Sequence, residues 1–153
     1  MVISNQKIKL SSLNTHGIKG NLVYVEKPCM ESDIVFISEH WLNYSEQNII
    51  EAISSDKKIF FHSAMDNAHK SGRPFGGFCW VVNTDIELVS YDFISSNISL
   101  IKIEINKKVL TIIGVYCIYN NNTSEHLQIY DNQLAIISSL CEQLDEENND
   151  YVL

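Results

Sequence analysis

Apolar residues fall into short runs separated by polar turns, and the spacing within each run indicates its element. Lys7 to Leu13 alternates weakly and ends at the polar turn Asn14-Thr15-His16-Gly17, which predicts a strand that presents its last residues at a sheet edge. Asn21 is placed to cap a short helix with Leu22, Val25, Cys29 and Met30 on one face, kept brief or kinked by Pro28. The uninterrupted run Asp33-Ile34-Val35-Phe36-Ile37-Ser38 suits a central strand covered on both faces, with Glu39 as its C-terminal exit. Ser45 to Ser54 carries Ile49, Ile50 and Ile53 at helical spacing, and Lys57 to His62 reads as a strand.

A glycine-rich loop, Gly72-Arg73-Pro74-Phe75-Gly76-Gly77, leads into strands predicted at Phe78–Val82, Ile86–Phe93, Ile98–Ile105 and Val109–Ile118. The short Asn106-Lys107-Lys108 interval makes the last pair a hairpin, and the whole stretch is expected to form an antiparallel meander. After the loop Tyr119-Asn120-Asn121-Asn122, Thr123 or Ser124 caps a helix whose apolar stripe is Leu127, Tyr130, Leu134, Ile137, Leu140, Cys141 and Leu144. Tyr151-Val152-Leu153 reads as the opening of a further strand.

Composition narrows the possibilities without choosing among them. The 153 residues suit one α/β domain or part of one, and 45% hydrophobic with 20% charged is ordinary for a globular chain. A formal net charge of −8 argues against a simple nucleic-acid-binding module, because long-range attraction to a phosphate polymer is missing. Glu142, Asp145, Glu146, Glu147 and Asp150 form a late acidic stretch that reads as a solvated helix end. Cys29, Cys79, Cys117 and Cys141 show no zinc-type spacing, and three of them lie in apolar runs, which points to buried free thiols and a reducing, intracellular setting. No apolar stretch has the length of a membrane span or the form of a signal peptide, so the sequons at Asn43, Asn97, Asn121 and Asn122 read as chance matches. His40, His62, His69 and His126 have no mutual metal spacing and read as structural or surface residues, and Trp41 and Trp80 as core.

Four ordered blocks carry a resemblance. Ser12 to Asn21 and Asp33 to Leu42 are similar to the first two blocks of the endonuclease/exonuclease/phosphatase superfamily. The Gly72–Gly77 loop and the strand Ile112-Ile113-Gly114-Val115-Tyr116 extend the likeness in the same order. The wording Ser-Glu-His-Trp-Leu and Gly-Arg-x-Phe-Gly-Gly resembles the LINE-type, non-LTR retrotransposon branch. In that family a strand like Tyr151-Val152-Leu153 precedes a Gly-Asp-x-Asn motif, so the chain is expected to be the first half of a domain, residues 1–153, truncated on its C-terminal side.

The resemblance implies a DNase I-like two-sheet α/β sandwich, here mainly one sheet and its helices. It also implies Mg²⁺ or Mn²⁺ as cofactor, DNA as partner and a reverse transcriptase downstream. Glu39 would be the metal carboxylate, Asn14 would orient the metal water or the scissile phosphate, and Tyr116 would donate to that phosphate. His16, Arg73 and Phe75 would contact substrate, with His16 standing where many relatives carry Asp or Asn. As a fragment the chain is expected to be inactive and to expose apolar surface. Two other readings share the sequence: a phosphoesterase acting on inositol phosphates or sphingolipids, and a degenerate non-catalytic remnant.

Overall fold

The computed structural model describes residues 7–53, 55–65, 75–117 and 123–153. Expectations at Arg73 and its neighbours Gly72 and Pro74, at His69 and in the loop 119–122 lie outside the described residues. The chain divides into two compact units, one up to Glu87 and one from Leu88 onward.

In the first unit four strands form a mixed sheet in the order β1-β2-β4-β3. β1 is Leu10–Asn14, β2 Ile34–Ser38, β3 Lys57–His62 and β4 Phe78–Asn83. All five residues of β2 are buried, as its unbroken apolar run predicts, and it lies between a parallel partner in β1 and an antiparallel one in β4. The register sets Asn14 opposite Ser38, so β1 and β2 end side by side. Two helices, α1 at Leu22–Glu31 and α2 at Asn48–Ile53, accompany this sheet. Val25, Cys29 and Ile50 from them pack with Val35, Ile37, Phe61, Cys79 and Val81 of the strands in one core. The alternate strand residues Phe36, Phe78 and Trp80 are buried as well, with ring centroids 4.7 Å apart for Phe36 and Trp80.

The predicted α1 face is only half right. Val25 and Cys29 are buried, but Met30 is 72% exposed. Pro28 sits inside the helix, which is short, ten residues, as expected. Asn21 holds the N-cap position without a side-chain cap bond, and its Nδ2 donates instead to the carbonyls of the preceding turn.

The second unit has its own sheet, ordered β5-β6-β7-β8, with β5 at Glu87–Phe93, β6 at Ile98–Ile105, β7 at Lys108–Val115 and β8 at Asp150–Val152. The expected single meander is therefore corrected: β4 pairs with β2 and β3, and a new sheet begins at β5. The expectation of mainly one sheet falls with it, since two four-stranded sheets are present. β6 and β7 form the predicted hairpin, and both residues of its turn, Asn106 and Lys107, have positive φ, as a two-residue turn matched to strand twist requires. β8 pairs parallel to β7, so the final apolar residues do form a strand.

α3, Ser124–Glu146, is capped by Thr123, whose side chain accepts from the His126 N–H. Its inward face differs from the predicted stripe. Ile136, Ile137, Leu140, Cys141 and Leu144 pack with Ile98 and Ile113, whereas Leu127 and Leu134 are 41% and 42% exposed. The position between those two turns is taken by Gln133, which is buried and donates from Nε2 to the Tyr116 carbonyl at 3.5 Å. A polar residue with a backbone partner can occupy a core face, and hydrophobic periodicity cannot see it. Among the described residues no helix is long and apolar enough to cross a membrane.

Candidate functional site

Because β1 and β2 run parallel, their C-terminal ends leave the sheet at the same edge, the edge where α/β sheets bind ligands. Asn14 ends β1, and Glu39 follows the last residue of β2. The two turns are joined by backbone and side-chain hydrogen bonds. Thr15 donates its N–H to Ser38 O at 3.0 Å and its hydroxyl to Glu39 O at 3.1 Å, Gly17 N–H reaches Glu39 O at 2.8 Å, and Ile18 N–H reaches His40 O at 3.1 Å. Asn21 closes the first turn from behind, its amide donating to the carbonyls of Thr15 and Gly17.

Within this frame Asn14 is exposed, and its Oδ1 accepts the His16 N–H at 3.1 Å, a side-chain turn that fixes the amide above the strand end. The Glu39 side chain is 14% exposed, with Oε2 accepting the Trp41 indole N–H at 3.2 Å and lying 3.6 Å from His16 Nδ1. His16 is 70% exposed and leans on Trp41, ring centroids 4.5 Å apart. The core expectation for Trp41 is thus corrected: it is half-buried beside the carboxylate, while Trp80 is core at 2% exposure.

His40 points the other way and is fully buried. Its Nδ1 accepts the Leu42 N–H at 2.9 Å, which leaves Nε2–H to donate to the His62 carbonyl at 2.9 Å. Burial pushes its pKa down to about 4 against the opposing pull of its backbone partners at His62 and Phe78, so the ring is neutral at pH 7. Burial also lowers the pKa of His62. Gly77, with φ +79, passes so close that a Cβ there would lie 2.3 Å from the His40 ring. Gly76 accepts the Trp41 N–H at 3.0 Å, and so the end of the glycine-rich loop is pinned to the strand exit, with Phe75 50% exposed beside it.

The structure therefore brings together Asn14, His16 and Glu39, and ties the residue after Phe75 to the same turn. Arg73 lies outside the described residues. Tyr116 belongs to the second unit, one residue beyond β7, where its N–H donates to Asn97 O and its carbonyl accepts from Asn97 Nδ2. Thr15, Asn21, His40 and Trp41 build the frame of the site; from the sequence Asn21 reads only as a helix cap, His40 as structural or surface and Trp41 as core, and Thr15 only as part of a polar turn. The contacts of Thr15 and Asn21 across and behind the turn, by backbone and hydroxyl for Thr15 and by the side-chain amide for Asn21, are not marked by any local pattern.

The donor set suits a hard divalent cation in part. Mg²⁺ typically takes one or two carboxylates and completes its shell with waters and phosphate oxygens, and Glu39 Oε1 accepts no hydrogen bond from the described residues. The described residues contain no cluster of three metal-ligating side chains, so Glu39 can be one ligand of such an ion and cannot cage it.

No protein-family model matches the sequence. No curated protein matches it. Solved structures do. The chain is similar to TDP2 from Caenorhabditis elegans, with 13% identity and a TM-score of 0.64 over 96% of this chain and 46% of that one. It is similar to the 3′-5′ exonuclease NExo from Neisseria meningitidis, at 12% identity and a TM-score of 0.62 over 92% and 53% of the two chains. It is similar as well to the AP endonuclease LMAP from Leishmania major, at 12% and 0.58 over 85% and 47%. At such identities the likeness is one of fold: a mixed α/β, DNase I-like fold with two four-stranded sheets. The chain spans about half the length of the solved structures it matches.

Proposed function

We propose that these residues form the Asn14–Glu39 part of the active site of a Mg²⁺- or Mn²⁺-dependent endonuclease that cleaves phosphodiester bonds in DNA. By the wording of its blocks it would be a target-nicking endonuclease of LINE type, with a reverse transcriptase following it. One observation carries the reading: an amide and a shielded carboxylate leave adjacent parallel strands at one sheet edge, on turns locked by four cross-strand hydrogen bonds. The similar structures include an AP endonuclease and a 3′ phosphatase bound to a product DNA hairpin, which supports DNA as substrate.

A bound divalent ion would supply charge stabilisation to the phosphate and leaving oxygens. Glu39 would hold that ion, and Asn14 would orient the phosphate or the attacking water through its amide. The family resemblance assigns Tyr116 a hydrogen bond to the phosphate. His16, Arg73 and Phe75 contact DNA around the scissile bond. The chain's net charge of −8 makes these local contacts, rather than the field of the whole molecule, the source of affinity. With no cluster of three metal-ligating side chains among the described residues, the 153-residue chain alone is expected not to turn over.

The test is cleavage of supercoiled plasmid and of a phosphoinositide, side by side with Mg²⁺, by this chain and by the longer polypeptide that the reading calls for. The longer form nicks plasmid and leaves the phosphoinositide intact, and the 153 residues do neither. Preference for the phosphoinositide would transfer the site to the phosphoesterase reading. A longer form inert on both would leave a non-catalytic remnant.

A further inference from the structure

The turn after β2 is held in a conformation that side chains disfavour. Glu39 and Trp41 have φ of +58 and +57, a left-handed conformation uncommon for any residue with a side chain. Such strain persists only where surrounding bonds over-determine it, and here they do. The carbonyls of Glu39 and His40 accept from Gly17 and Ile18, the Trp41 N–H is taken by Gly76 O, and the Leu42 N–H by His40 Nδ1. The result of the double left-handed turn is that the indole N–H meets the carboxylate two residues earlier, Nε1 to Oε2 at 3.2 Å.

The opposite turn is shaped to admit that indole. Gly17 has φ +94, and a Cβ on it would lie 2.6 Å from Trp41 Cε3 and 3.0 Å from Cζ3. Its glycine is therefore required twice, by backbone conformation and by the ring that rests on it. His16 leans on the same ring from the solvent side.

Resting on the reading of Glu39 as a cation ligand, we propose that Trp41 is the positioning residue for that ligand, its indole N–H holding Oε2 so that Oε1 is presented to the ion. The chemistry of the donor supports the assignment. An indole N–H is a donor with no charge and no lone pair to offer a metal, so it fixes one carboxylate oxygen without competing for the ion. A Lys or Arg in the same place would set a second cation against the carboxylate.

Mg²⁺ titration of the ¹⁵N-labelled 153-residue chain tests this directly, because its two tryptophans give two indole N–H resonances. The resonance that disappears in Trp41→Phe moves with Mg²⁺, and that of Trp80 stays. Followed through the Gly17 amide, Trp41→Phe weakens Mg²⁺ binding by about tenfold, the scale of one hydrogen bond to a charged group. Where Trp41→Phe disturbs folding, 3-benzothienylalanine at position 41 keeps the ring shape, lacks the N–H, and shows the same loss. Wild-type affinity in either ring variant, with Glu39→Gln abolishing binding, overturns the positioning role and leaves Glu39 as ligand. Wild-type affinity in Glu39→Gln removes the ligand itself, and the proposal with it.

Discussion

The two units spend their apolar residues differently. In the first, β2 is buried along its whole length and β4 in five of six positions, so both faces of the sheet's centre are covered. In the second, β5 leaves five of its seven residues exposed, and the 23-residue α3 buries only Gln133 and Leu144. The candidate carboxylate stands at the end of the most deeply buried strand. A site on such a strand inherits rigidity, because the backbone on which it stands cannot shift without disturbing close-packed neighbours.

The largest expected effect separates the units by stability. Trp80→Ala empties a position that is 2% exposed and costs about 3–5 kcal/mol in urea unfolding, whereas Tyr91→Ala on β5, 49% exposed, stays within about 0.5 kcal/mol. Comparable losses for the two would show that the first unit's core is held no more tightly than the exposed face of β5.

Acid provides the next. The folded-state pKa of His40 lies below its ordinary value, so its contribution is complete above about pH 6.5. As pH falls from 6.5 to about 4 the unfolded chain takes up a proton that the folded chain refuses, and stability declines by about 3 kcal/mol before levelling. His62, also lowered by burial, adds to the same limb. Unfolding free energies of His40→Asn across that range show a shallower decline; an unchanged slope would remove His40 as its source.

A smaller effect sharpens the picture of the second unit. Gln133→Ala removes a buried amide and its bond to Tyr116 O, and lowers stability by about 1 kcal/mol in thermal melts. Finally, thiol labelling of the native protein marks the exposed Cys117 quickly and leaves the buried Cys29 and Cys79 untouched until unfolding. Burial also raises the pKa of Cys79, which keeps it as unreactive thiol. Rapid labelling of Cys79 would show that the first unit's core opens.

Sequence pattern was most informative where burial is uniform. The apolar run of β2, the hairpin turn at Asn106-Lys107 and the Thr123 cap all follow from local chemistry and all stand in the structure. It was least informative where partners are remote. Nothing in the run from Phe78 to Val115 tells that β4 turns back to β2 while β5 starts another sheet, since all these strands share composition and turn spacing. Trp41 illustrates the same limit at the site. An aromatic residue after a buried strand reads as core, and its indole N–H is directed to Glu39 only because the turn is left-handed at both residues and Gly17 makes room. Asn14 and Glu39 are candidates through family wording, and the bonds that lock their turns were not legible in the sequence.

The role proposed for Glu39 is to hold a divalent ion that would stabilise the charge developed when a phosphate ester is cleaved. Its most direct test is Mg²⁺-dependent plasmid nicking by the longer polypeptide, with Glu39→Gln compared at matched folded fraction. Nicking falls by about 10²-fold or more in this variant, in line with removal of one charge-stabilising group from an active site. Nicking by Glu39→Gln at the unaltered rate would contradict it.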